Sequence, residues 1–330
     1  MTERMRWAIL GTGKIGNRFA EALNNIPEKA ELVAVGSRNQ ETADAFADKY
    51  NIPKRIVGYE NVATDPDVDI VYVGTPGVYH LKDVSTCLEA GKHVLCEKAM
   101  TINATQAETL INLAREKNLF LMEAMWTRFF PIHVRIRELL AQGFIGDING
   151  IVICFTAKPP FDPKNRFYDI NLGAGVLLDT VSYGVSWTYS LLGEPDEVTG
   201  LANFGETGAD VQTALIMKYD AGQLVTMISS QISYDVKEAV IFGTIGKIEV
   251  HAPWYKPVAM TVHVEGNEPE LIEMPLKNFI GYEHEAMAVM ESIQAGKIEC
   301  DDMPLDESLA IIRTLDKVRK QLNYKYPFED

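Results

Sequence analysis

The first 120 residues alternate two patterns. Short apolar runs at 7–10, 31–35, 69–73, 93–96 and 119–122 have the continuity of strands buried on both faces. Between them, segments 14–25, 41–50, 79–90 and 103–117 repeat apolar residues every three or four positions, as Ile15, Phe19, Ala22 and Leu23 do, which predicts helices packed along one stripe. A short strand at 55–58 and a short helix at 59–64 complete the series, and Gly91 and Asn118 fit helix ends. Strands that alternate with helices predict right-handed crossovers and a parallel sheet.

Beyond about residue 125 the pattern changes. A helix is predicted over 131–142, closed by Gly143. Strands follow at 148–156, 197–203, 210–219, 223–230, 238–243, 246–251 and 260–265, several joined by short glycine-containing turns. Helices are limited to 173–193, 282–295 and 306–322. The expected fold is therefore an α/β domain with a doubly wound parallel sheet over 1–123, then an α+β domain over 124–330 with a large, open, mostly antiparallel sheet.

Composition narrows the partners. The chain has 330 residues and a formal net charge of −15, which disfavours nucleic acid and anionic membranes. No stretch approaches the ~18 apolar residues of a membrane span. Cys87, Cys96, Cys154 and Cys300 form no C-x-x-C pair, and the histidines form no H-E-x-x-H, so no metal site is expected. A cytoplasmic protein is the reading these features give.

Chemistry enters at the first strand–helix turn, Gly11, Thr12, Gly13, Lys14, Ile15 and Gly16. G-x-G-x-x-G after a strand and before a helix is a dinucleotide fingerprint: the first glycine turns tightly, the second admits a pyrophosphate, the third lets helix and strand approach. The second strand ends in Ser37 and Arg38, without the acid that binds an NAD ribose. A guanidinium suits a 2′-phosphate, so NADP(H) is expected in preference to NAD(H), although Arg38 also reads as a solvated surface charge. Thr75 and Pro76 close the next apolar strand and should line the nicotinamide side of the cleft; His80 stands beside them, either at the ligand or in a structural hydrogen bond. The strand 93–96 runs into Glu97 and Lys98, at the edge where such sheets bind ligands.

The set GTGKIG, GTPGVYH, CEKAM, EAMWTRFF and GAGVLLDTVSYGV resembles the Gfo/Idh/MocA oxidoreductases across nearly the whole chain, and most closely their dimeric dihydrodiol dehydrogenase and NADP-dependent D-xylose dehydrogenase branch. The resemblance implies a Rossmann domain followed by an open-sheet domain. It implies that Lys98 is the lysine of an E-K-P motif, here with Ala99 in place of proline; a trans peptide at Lys98–Ala99 is therefore expected. Gly77 stands where relatives often carry asparagine. The resemblance also places Asp179 and Tyr183, four apart on the predicted 173–193 helix, in the cleft facing the lysine. Taken alone, Asp179 reads as a helix-dipole residue and Tyr183 as a buried phenol. Glu97, Trp126 and Arg128 are further candidates at the cofactor and substrate, with Arg166 and Phe167 weaker ones.

The implied reaction is hydride transfer between nicotinamide and a carbinol or carbonyl carbon of a sugar, polyol or cyclic diol. An ordinary phenol, with a pKa of ~10, is too weak an acid to serve unaided near neutrality. A lysine ammonium beside Tyr183 would favour the phenolate, and Asp179 would orient substrate or lysine. Lysine as the acid/base is the variant of this mechanism, and an NADP(H)-binding sensor without turnover is the alternative function. An open sheet with an apolar outer face implies a homodimer through that sheet, or a tetramer.

Overall fold

The structure is a computed structural model that describes residues 4–329. The chain divides into two compact units, Met1–Trp126 with Leu276–Leu309, and Thr127–Pro275 with Ala310–Asp330.

In the first unit, strands β1 (Met5–Leu10), β2 (Ala30–Ser37), β3 (Lys54–Val57), β4 (Ile70–Val73), β5 (His93–Glu97) and β6 (Leu121–Ala124) form one sheet in the order β3-β2-β1-β4-β5-β6. Every pairing is parallel. Helices α1 (Lys14–Asn24), α2 (Gln40–Tyr50), α3 (Tyr59–Ala63), α4 (His80–Glu89) and α5 (Ala104–Lys117) supply the crossovers. The apolar runs at β1, β4 and β5 are buried, as continuous strands between two helical layers must be. Asn39 and Asn103 cap α2 and α5 by accepting the backbone N–H groups of Thr42 and Gln106. Asn118, in the left-handed conformation, ends α5, and Leu119 N–H still bonds to Ala114, so the last strand starts later than the apolar run at 119 suggests.

The second unit begins with α6 (Pro131–Ala141) and builds an eight-stranded sheet from β7 (Ile148–Thr156), β8 (Glu197–Phe204), β9 (Asp210–Lys218), β10 (Leu224–Ser230), β11 (Ala239–Gly243), β12 (Gly246–Val250), β13 (Ala259–Val264) and β14 (Glu270–Glu273). Its order is β14-β13-β12-β11-β7-β10-β9-β8, antiparallel except for the β7–β10 pair. The sequence pattern missed β14, because an edge strand that carries Glu270 and Glu273 and is largely exposed reads as a polar loop. Helix α7 (Ser182–Leu192) lies on the inner face of this sheet. A Cβ at Gly184 would sit 2.2 Å from the sulfur of Met227 on β10, so the helix backbone rides directly on the sheet there. The outer face alternates out of the same strands and leaves Val152, Ile216, Leu224, Ile228 and Phe242 exposed.

Two expectations change. The helix predicted over 173–193 starts only at Leu177: Gly173 and Gly175 have φ of 75° and 128°, and a π-helical turn over Leu177–Val181 precedes α7. Where the sequence pattern suggested a break at 123/124 and a continuous second domain, Leu276–Leu309 groups with the first unit. The cause is specific contact by α8 (Tyr282–Gln294) and the segment after it. Asn25 at the end of α1 donates to Glu283 at 2.7 Å, and Leu121 N–H donates to the Ile298 carbonyl at 3.1 Å. The last helix, α9 (Leu305–Gln321), contributes its first residues to this unit and the rest to the other.

Candidate active site

The nucleotide loop is shaped by what its glycines forbid. Gly11 has φ of 99°, and a Cβ there would lie 3.0 Å from the Gly74 carbonyl oxygen. A Cβ on Gly16 would fall 2.3 Å from the Gly11 carbonyl oxygen, a contact with backbone that no side-chain motion relieves. At Gly13 a Cβ would meet nothing within 4 Å, so the second glycine faces open space. Helix α1 starts there with no side-chain cap and no acid in its first turn. Open room above the second glycine and bare N–H groups at an eleven-residue helix fit a pyrophosphate. Thr12 is half-buried, Lys14 is exposed, and Ile15 lies behind the loop against Gly74. Asn17 braces the loop by donating to the Thr12 and Gly13 carbonyls, and is itself held by Lys49 and Tyr50.

At the end of β2, Ser37 is buried and its hydroxyl lies 2.5 Å from that of Thr42. Arg38 is exposed, and among the described residues no hydrogen bond or ion pair engages its guanidinium.

Thr75 and His80 tie the ends of β4 and β5 together. The Thr75 hydroxyl donates to Asp83 at 2.7 Å. The His80 ring nitrogens lie 2.7 Å from the Thr75 carbonyl oxygen and 3.2 Å from those of Ala99 and Met100. His80 is 1% exposed, and burial lowers its pKa. It is therefore a brace between two loops, in the structural hydrogen bonds that were one of its two readings. Pro76 is exposed, and Gly77 opens onto free space.

Lys98 follows β5 and is half-buried. The peptide that joins it to Ala99 is cis, against the trans bond expected without a proline. His80 at the Ala99 carbonyl and Glu123, which accepts Met100 N–H at 2.9 Å, hold the segment on both sides. Glu97 turns inward: Tyr72 donates to it, and Tyr72 stacks on Phe19 at 3.8 Å. Glu285 on α8 is completely buried near Glu97; burial first, and then the charge of Glu97, push its carboxyl well above the carboxylate range. Trp126 stacks on Tyr282 at 4.0 Å and is nearly buried.

In the second unit, Asp179 projects from the π turn and Tyr183 from the first turn of α7. Tyr183 is flanked by Phe155 at 6.0 Å and Tyr255 at 5.7 Å, which stack on each other at 4.7 Å. Arg166, over the Phe167 ring, approaches the Asp179 carboxylate at 3.7 Å. Arg128 is 1% exposed and spends two donors on Ser186 of α7, Nε on the hydroxyl at 2.8 Å and Nη2 on the carbonyl at 2.6 Å. Its role in the fold is to pin the helix below Tyr183. The sequence reading missed Tyr72, Phe155, Asp210, Tyr255 and Glu285. Of these, Tyr72 left a trace, a polar group inside an otherwise apolar strand pattern.

Residues 5–125 match the description "Oxidoreductase family, NAD-binding Rossmann fold", and residues 133–249 match "GFO/IDH/MocA C-terminal domain". The chain belongs to the Gfo/Idh/MocA family. Family members of similar length include the trans-1,2-dihydrobenzene-1,2-diol dehydrogenases of Xenopus tropicalis, 36% identical over 98% of this chain and 99% of that protein, and of Homo sapiens, 34% identical over 98% of each. Two solved structures share the fold. KijD10, a 3-ketoreductase from Actinomadura kijaniata in complex with NADP and TDP-benzene, has a TM-score of 0.87 at 24% identity, over 96% of this chain and 98% of that one. Levoglucosan dehydrogenase, in complex with NADH and levoglucosan, has a TM-score of 0.88 at 17% identity, over 98% of this chain and 100% of that one. The Gfo/Idh/MocA chain described here is thus an oxidoreductase of the dehydrogenase/reductase type built on a nucleotide-binding Rossmann fold.

The two glycines separate binding from folding. Gly16→Ala should destabilise the protein by ~1–3 kcal/mol through overpacking. Gly13→Ala should leave the melting temperature nearly unchanged while weakening nicotinamide nucleotide binding. Thermal unfolding and a fluorescence titration of NADPH check both; equal effects of the two substitutions would refute the cradle.

Proposed function

We propose that the protein transfers hydride between NADP(H) and a CH–OH or carbonyl carbon of a sugar, polyol or cyclic diol. The observation that carries this reading is Lys98, set at the carboxyl end of β5 in the sheet whose neighbouring turn is the glycine cradle, in a chain similar end to end to dihydrodiol dehydrogenases. The nicotinamide nucleotide, when bound, supplies or accepts the hydride.

The chain's own part is binding and proton handling. Loop 11–16 and the start of α1 would hold the pyrophosphate, with Thr75 and Pro76 on the nicotinamide side. Ser37 and Arg38 would hold a 2′-phosphate. An exposed guanidinium without an ion-pair partner, at a strand end that carries no acid, is the feature that favours NADP(H). The fold itself takes either nucleotide, since its solved relatives carry NADP in one case and NADH in another.

Tyr183 would take the hydroxyl proton in oxidation and return it in reduction. The Lys98 ammonium would stabilise the developing alkoxide and keep the phenol acidic enough to act. Asp179 would orient the substrate, and the Phe155 and Tyr255 rings beside Tyr183 offer apolar walls that suit a ring-shaped substrate.

We also read the exposed apolar face of the eight-stranded sheet as the contact between two copies. Val152, Ile216, Leu224 and Ile228 stand there on adjoining strands, and a face of that kind is rare on a monomer.

Tyr183→Phe and Lys98→Met should each reduce turnover by about 10²–10⁴ on a panel of aldoses, inositols and trans-diols, the range for a lost acid/base group. Near-normal turnover by either variant removes that residue from the proton relay. Arg38→Ala should raise the KM for NADPH far more than that for NADH, and parallel losses would reject the 2′-phosphate assignment. Light scattering of the intact protein should return twice the chain mass, with Ile216→Asp shifting it towards one; a wild-type monomer would end the dimer reading.

A further inference from the structure

The helix that carries Asp179 and Tyr183 is not capped by its own neighbours. Val176 precedes the π turn and offers no side-chain hydrogen bond. Instead Leu177 N–H donates to Oδ2 of Asp210, 2.8 Å away on the first residue of β9. The Thr213 hydroxyl donates to the same oxygen at 2.8 Å. The other carboxyl oxygen, Oδ1, is buried and has no hydrogen-bond partner. It lies directly under Gly175, where a Cβ would come within 1.9 Å of it. Asp179 N–H in turn bonds to the Gly175 carbonyl at 3.2 Å. One carboxyl group thus touches the chain just before the π turn and at its first residue.

A buried carboxyl with one bare oxygen is a costly cap, and a serine or asparagine would satisfy Leu177 N–H without it. We propose that Asp210 is a positioning residue for the reaction: through Gly175 and Leu177 it fixes the turn from which Asp179 and Tyr183 project. The inference rests on the reading of Asp179 and Tyr183 as substrate-facing groups.

The surroundings make this device sensitive to pH. Thr213 and the Leu177 N–H face the carboxyl from β9 and the π turn, Arg319 faces it from α9, and Tyr324 and Tyr326 face it from the segment after α9. Burial pushes Asp210 up to about 7, against the hydrogen bonds and the Arg319 charge. A carboxyl raised in the folded state binds its proton more tightly there than in the unfolded chain, where it titrates near ~3.9. Its contribution to stability is therefore complete below that value and is lost as pH rises through 7.

The test uses the full-length protein as wild type, Asp210→Asn, Asp210→Ala, Thr213→Val and Tyr183→Phe. Oxidation of trans-1,2-dihydrobenzene-1,2-diol with NADP+ is followed from pH 5.5 to 8.5, together with NADP+ affinity, melting temperature and amide hydrogen exchange over 175–183. Asp210→Ala should lower kcat by roughly 10–100-fold, as a misplaced group does. Its NADP+ affinity should be unchanged, and exchange at 177–183 should rise. Asp210→Asn, whose amide oxygen still accepts from Leu177, should recover most of kcat, and its melting temperature should gain on wild type as pH rises from 5.5 to 8.5. Thr213→Val should lie between wild type and Asp210→Ala. Wild-type kcat and wild-type exchange in Asp210→Ala overturn the proposal. Should that variant not fold, wild-type kcat and wild-type exchange at 177–183 in Thr213→Val, which removes a hydrogen bond that holds the carboxyl, overturn it instead. An active Tyr183→Phe overturns both this inference and the reading beneath it, whereas an inactive Tyr183→Phe with a fully active Asp210→Ala removes only Asp210.

Discussion

A helix can place its first turn against a strand end only if no side chain stands between them. Here that condition is met at Gly16, whose missing Cβ would otherwise lie 2.3 Å from the Gly11 carbonyl oxygen. Because α1 closes onto the loop, its unpaired N–H groups open at the carboxyl edge of β1. That strand lies between β2 and β4, where the chain reverses the direction in which it adds strands. Such a reversal parts the loops on either side and leaves a crevice. Ser37, Thr75 and Lys98 reach the same edge because each closes or follows a strand of this one parallel sheet.

Buried polar groups, more than apolar ones, set the directions of the chemical groups. His80 joins two strand ends that would otherwise be independent loops. Arg128 spends charge-assisted hydrogen bonds on a single serine of α7. Tyr72 donates to Glu97, the residue before Lys98. Each tie involves a group that is costly to bury unless its partner is in place, so each penalises competing arrangements of the same backbone.

Much of this was legible in the sequence, for physical reasons that can be named. Continuous apolar runs at β1, β4 and β5 read as buried parallel strands, and the G-x-G-x-x-G spacing of loop 11–16 between a strand and a helix read as a dinucleotide turn. Lys98 was legible because the run before it ends at the carboxyl edge of the sheet, although Glu97, the charged residue directly after that run, turns inward. His80 was legible as either a ligand contact or a structural hydrogen-bonding residue, and Arg128 as a candidate at the cleft, but their hydrogen-bond partners were not. Their partners, Thr75, Ala99 and Ser186, are backbone or small polar groups that only folding brings near. The start of α7 was misplaced because glycine and alanine at 173–175 are compatible with a helix by spacing, while two left-handed φ values are not. Asp210 and Glu285 are set by contacts across long stretches of chain, and no local pattern reports those.

The first unit is closed by Leu276–Leu309, which arrives after the whole of the second unit's sheet has been made. Until Glu283 reaches Asn25 and Ile298 reaches Leu121, the helix that holds the nucleotide loop and the last strand of the parallel sheet lack their final partners. On a ribosome the nucleotide-binding half is therefore the first begun and among the last completed. The strands of the other half are made while its predecessor is still open, that half is itself completed only by residues 310–330, and the chain cannot be cut after residue 126 to yield a finished nucleotide-binding fragment.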